Sequence, residues 1–169
     1  MIENEQAFYY GYVFIFETPF SLKKKNLLFT ALMAGEPWGW RVVGISEAAL
    51  EELAKHEFKY VKGLFCRSHF TARIETSREV FERRISKDQF FERFLKTDVT
   101  AITLKSENTK NGPEKFLPID SERKLFPSQQ VGWRHGPEER AYLKEMHAAY
   151  KVGRLAPKLR SDIIGVLDT

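Results

Sequence analysis

In the stretch "CRSHFTAR" (residues 66–73), His69 stands between Arg67 and Arg73. A neutral imidazole can take a proton from an attacking water, and guanidinium groups hold phosphate oxygens through paired hydrogen bonds. This spacing therefore suits phosphodiester hydrolysis. Such chemistry also calls for a divalent ion to stabilise the leaving oxygen. A second stretch, "TAITLKSENTKNG" (100–112), offers oxygen donors after an alternating apolar run. Mg²⁺ takes such hard ligands. Each feature has a structural counterpart: His69 as a hydrogen-bonded core histidine, Asn108 as a cap or turn residue, and Asn111-Gly112 as a turn.

Together the two stretches resemble the HNH (His-Me finger) endonucleases over residues 66–112. That family has a first histidine on a strand, a middle Asn or equivalent before a second strand, and a last His or Asn opening a helix. Here "RSHFTAR" resembles the first piece, "DVTAITL" the second strand and "ENTKNG" the last. The resemblance implies that His69 is the general base and that Asp98 takes the middle place. It makes Asn108 the final metal ligand, with Glu107 an adjacent one and Mg²⁺ or Mn²⁺ as cofactor. It implies a metal-dependent DNA endonuclease from a defence or mobile-element setting, with a nuclease-like core over 58–112. The sequence departs from the family in three ways. Ser68 replaces the usual acidic residue, 39 positions (108 − 69) separate His69 from Asn108, and no cysteine pairs flank the motif.

Arg67 and Arg73 have further basic residues for company: Lys23, Lys24, Lys25, Lys105 and Arg134 are candidate nucleic-acid contacts. The lysine run also reads as a solvated hairpin tip. His135 in "GWRHG" is a second possible phosphate contact, and Trp38 and Trp40 either stack bases or pack a turn. His56 and His147 read as structural. Two other functions fit the same residues. A non-catalytic nucleic-acid-binding module is favoured by Ser68, and a protein-interaction or small-molecule-binding domain by the balanced charge and 14 Phe.

The elements that must position these groups follow from pattern. A chain of 169 residues, 43% hydrophobic and 30% charged, is read as a single globular domain with a real core. Its 27 basic residues against 23 acidic ones leave +4, a mild lean towards nucleic acid. One cysteine, Cys66, excludes an intrachain disulfide and a two-cysteine zinc site, and suits a reducing cytoplasm. No signal peptide or membrane-spanning run is expected.

"YVFIF" (12–16) is continuously apolar and reads as a buried strand, while "LLFTALMA" (27–34) fits strand or helix. Strands are expected at 40–45, 60–65 and 99–104, and a helix capped by Ser46 running to about Lys55. Capping boxes at 76–79 and 86–89 predict two helix starts, the second with Phe90, Phe91, Phe94 and Leu95 on its core face. Residues 105–135 read as loop and 136–151 as a helix opened by Pro137. A basic-then-apolar tail completes 136–169 and permits a homodimer by exchange. The expected class is α+β: a mixed or antiparallel sheet, three to four helices and a central β-α-α-β unit.

Overall fold

Where the apolar run at 12–16 suggests a strand, the chain forms a helix. The computed structural model describes residues 4–33, 41–109, 112–123, 125–126 and 135–165. Helix α1 (Glu5–Glu17) buries Tyr12 and Ile15 and half-buries Phe8, Tyr9 and Phe16. Three- and four-residue spacings place these on one helical side, whereas strand alternation would bury only every second residue. Helix α2 (Leu22–Met33) folds back along α1, so Lys23–Lys25 lie in its first turn and not at a hairpin tip. The crossing is close at Gly11, where a Cβ would stand 2.9 Å from the Leu32 side chain.

Strand β1 (Arg41–Ile45) and helix α3 (Glu47–Lys55) agree with the sequence pattern, and the Ser46 hydroxyl accepts the Ala49 amide at 3.2 Å. Strand β2 (Phe65–His69) begins where the expected 60–65 strand ends, so "CRSH" is itself strand. Helix α4 (Arg73–Glu82) absorbs the first predicted box. Thr76 and Ser77 are buried within it, and Ser77 donates to Asn26 Oδ1 at 2.6 Å. The second box is present at helix α5 (Lys87–Thr97), with reciprocal Ser86 and Gln89 bonds.

Strand β3 (Val99–Leu104) is followed by a 3₁₀ turn (Lys105–Glu107) and by strand β4 (Lys115–Pro118) inside the expected loop. A second 3₁₀ turn (Ser121–Arg123), helix α6 (Pro137–Lys151), strand β5 (Lys158–Leu159) and helix α7 (Arg160–Gly165) complete the order.

The sheet order is β2-β3-β1-β4-β5, with β1 and β3 parallel and the other neighbours antiparallel. The fold is therefore α+β with a mixed sheet, and β2-α4-α5-β3 is the expected central unit. Seven α-helices among the described residues exceed the three or four expected, because apolar runs near the N-terminus and in the tail are helical.

Three cores result. Val42, Ile45 and Ile102 on one sheet face meet Leu50 and Leu53 of α3 and Leu143 of α6. Val43, Val99 and Ala101 on the other face meet Phe70, Phe116 and Ile163. Tyr12, Phe29, Val80, Phe90 and Phe94 form a separate helical core among α1, α2, α4 and α5. No helix of the described residues is long and apolar enough to cross a membrane.

Tyr12 ties that helical core to the backbone. Its hydroxyl donates to Val80 O at 2.9 Å and accepts the Ile85 amide at 3.2 Å. Burial raises its pKa, because a phenolate there would lose its hydration. Tyr12→Phe keeps the ring and orphans both backbone groups, so it should cost about 1–3 kcal/mol in urea unfolding. Phe90→Ala, which opens a cavity, should cost roughly 3–5 kcal/mol.

Candidate active site

Register decides which candidate residues meet. Strand β2 runs antiparallel to β3 with His69 opposite Thr100, so the end of β2 lies beside the residue that precedes β3. That residue is Asp98, which closes α5. Arg73 opens α4 four positions after His69. Arg73 Nη2 donates to Asp98 Oδ1 at 2.5 Å, and His69 Nε2 stands 3.6 Å from the same oxygen. The second contact is electrostatic, being longer than a hydrogen bond. Arg73 Nη1 also reaches Thr30 Oγ1 of α2 at 3.4 Å.

The cluster is graded in burial. The Asp98 side chain is 2% exposed and that of His69 19%, so the imidazole is the more accessible of the two. Burial lowers the Arg73 pKa, and the Asp98 carboxylate opposes that fall. Chemically this is an anchored carboxylate, a guanidinium that balances it and an imidazole able to exchange a proton beside it. Arg41, which sequence reasoning missed, begins β1 at the same sheet end. Its Nη2 donates to Leu95 O at 2.5 Å. Burial lowers its pKa against the pull of Glu122 and then Asp98. It also lines a cleft of about 510 Å³ shared with Val43, Glu122, Tyr142 and Lys158. The available signal was an isolated arginine at the head of an apolar strand.

The other expected residues do not join this cluster. Glu107 and Asn108 follow β3, whose far end is four residues beyond Thr100, about 13 Å of strand. The antiparallel pairing that the nuclease resemblance invites is the same pairing that separates them from His69. Glu107 has structural work there: its Oε2 accepts the Ser46 hydroxyl at 2.6 Å and the Leu104 amide at 2.9 Å. Asn108 closes the 3₁₀ turn. The residues that the resemblance offers as metal ligands therefore do not form one site. Among the described residues, no group of three or more His, Cys, Asp or Glu is placed to hold a metal ion.

Arg67 points to the opposite role from a phosphate contact. Its guanidinium donates to Phe126 O, and burial pushes its pKa down to about 10. Lys25 is turned inward, with Nζ donating to Phe16 O at 2.5 Å and lying over the Phe16 and Phe81 rings. Lys24 covers Phe20 at 4.1 Å. Lys105 is exposed beside Glu107, at the sheet end away from His69. Arg134, Trp38 and Trp40 lie outside the described residues. Cys66 is half-buried on the other side of β2, with Sγ 3.3 Å from Thr103 Oγ1.

No family model, curated protein or solved structure matches the chain.

Two predictions follow from burial. Asp98→Asn removes the charge that Arg73 faces in the interior and should destabilise by roughly 3 kcal/mol or more in denaturant titration. His135, read above as a phosphate contact, is instead buried. Its Nδ1 lies 2.8 Å from the carbonyl of Phe58, a residue in the left-handed region at φ 59°. Desolvation lowers the His135 pKa from its usual 6.5. The unfolded chain then binds this proton more readily, so His135's contribution is complete above about pH 6.5 and lost as pH falls through the folded value. Unfolding free energy should fall between pH 7 and pH 5, and His135→Gln should flatten that fall.

Proposed function

We propose that this chain hydrolyses nucleic-acid phosphodiesters, with DNA the expected substrate, at the sheet end where His69, Arg73 and Asp98 meet. One observation carries the reading: a partly exposed imidazole set 3.6 Å from a carboxylate that is itself buried and held by a guanidinium. In this reading neutral His69 takes a proton from the attacking water as its oxygen bonds to phosphorus. The imidazolium then returns a proton to the departing ester oxygen, giving a phosphate monoester and a free hydroxyl. Asp98 stabilises the imidazolium, and Arg73 holds the carboxylate in place. Arg41, which lines the 510 Å³ cleft and interacts electrostatically with Asp98, is the further cation at this sheet end suited to a phosphate oxygen. Asp98 is engaged by Arg73, while Glu107 and Asn108 stand at the other strand end.

A second reading is favoured by the surface charges. Several cations on or between the helices face carboxylates: Arg84 faces Glu17, Arg93 Glu79, Lys87 Glu5 and Lys96 Glu92. Such pairing weakens a polyanion footprint and suits a non-catalytic domain in which the buried cluster joins sheet to helices.

Cleavage of plasmid and single-stranded DNA, measured in EDTA and with added Mg²⁺ or Mn²⁺, separates the two. The proposal expects parent activity and a 10²–10⁴-fold loss in His69→Asn with unchanged circular dichroism. Cleavage by a folded His69→Asn protein at the parent rate would refute the mechanism. A parent inactive on every substrate and metal would favour the non-catalytic reading.

A further inference from the structure

We infer that the outer face of the α1–α2 hairpin is a homodimer interface, formed with a second copy of this chain. Helix α1 carries no charged residue from Gln6 to Phe16, and its inner side fills the helical core. Its outer side is nevertheless apolar: Tyr10 is 64% and Phe14 71% exposed, four residues apart on one stripe. On α2 Leu27 is 63% and Leu28 36% exposed, and Phe20, in the turn between the helices, is 39% exposed. On α2, Leu27 lies two positions from buried Phe29, which turns it away from the core.

These five side chains leave roughly 500 Å² of apolar surface in water per copy. Two copies would contribute about 1,000 Å². Interfaces are about three-fifths apolar, so the full contact would bury about 1,700 Å², within the range of stable dimers.

The charge pattern selects the occupant. The exposed charges at the hairpin's turn are Glu17 on α1 and Lys23 and Lys24 on α2, since Lys25 is turned inward. A two-fold arrangement laying the turn end of α1 across the second copy's α2 sets Glu17 against Lys23 and Lys24, twice, because an isologous contact repeats every pairing. Glu17 is 60% exposed where it faces Arg84 at 3.1 Å, so its carboxylate stays on the helix surface at the rim. An anionic lipid surface would instead press against this glutamate beside the apolar stripe, and it is disfavoured for that reason.

Light scattering on the full chain from 5 to 200 µM tests the inference. The expected mass is twice 19.7 kDa at the upper concentrations. Phe14→Glu should raise the dimer dissociation constant at least 100-fold, and Leu27→Glu should do so independently. Both sites are exposed, so circular dichroism and thermal midpoint at low concentration should stay near the parent's. A parent that remains monomeric at 200 µM overturns the inference, and so does a dimer indifferent to both variants. A monomer that sediments with phosphatidylserine vesicles would assign the face to lipid instead.

Discussion

Arg73 and Asp98 sit at the two ends of the same excursion, and their contact closes it. The chain leaves the sheet at His69, builds α4 and α5, and returns at Val99. Arg73 opens the outward helix and Asp98 ends the returning one, 2.5 Å apart at their charged tips. The β2–β3 ladder would bring these ends near each other on its own, since it pairs His69 with Thr100. The ion pair makes the closure specific, because breaking it strands a charge in a site from which water is excluded. His69 depends on this geometry twice: through the strand that carries it and through the carboxylate beside it.

The same seam joins two cores of different character. On one side lies the sheet with its aliphatic face; on the other, the aromatic helical core of Tyr12, Phe29, Phe90 and Phe94. Neither face can continue into the other without burying polar backbone at strand and helix ends, and such groups must be bonded. Side chains supply the bonds. Arg41 serves the Leu95 carbonyl, while the polar side chains of the seam satisfy one another, Ser77 with Asn26 and Arg73 with Thr30. A polar seam between apolar cores is thus a requirement of this architecture, and His69 lies where that requirement is met with titratable groups.

How far this was legible varies by element for physical reasons. The Ser46 and Ser86 caps, the β3 strand and the Phe90–Phe94 helix face were readable, since each is a local pattern the tertiary structure agrees with. "YVFIF" misled because a continuous apolar run has no period, and only the packing of Tyr12, Ile15 and Phe16 on one side identifies it as helix. The β4 strand is four residues long, ends in Pro118 and gains its stability from Gly44 and Ile45 across the sheet, so no local signal marks it. The Thr76 box failed because α4 had already begun at Arg73, burying the supposed cap. His69 and Arg73 were nominated by type, but Asp98, Glu107 and Asn108 by the resemblance to a nuclease motif. Strand direction, which residue types do not reveal, sends Glu107 and Asn108 to the other end.

Helix α2 links the site to the molecule's outer surface. Its inner side supplies Thr30 to Arg73, Asn26 to Ser77, and Phe29 and Met33 to the helical core. Its outer side carries Leu27 and Leu28. One twelve-residue helix therefore carries both the exposed leucines and the Thr30 hydroxyl that meets Arg73. Gly11 tightens the hairpin: with no side chain there, α1 and α2 approach closely and Leu32 fills the gap. The exposed apolar stripe and the contact with the guanidinium that holds Asp98 are thus opposite sides of one helical hairpin.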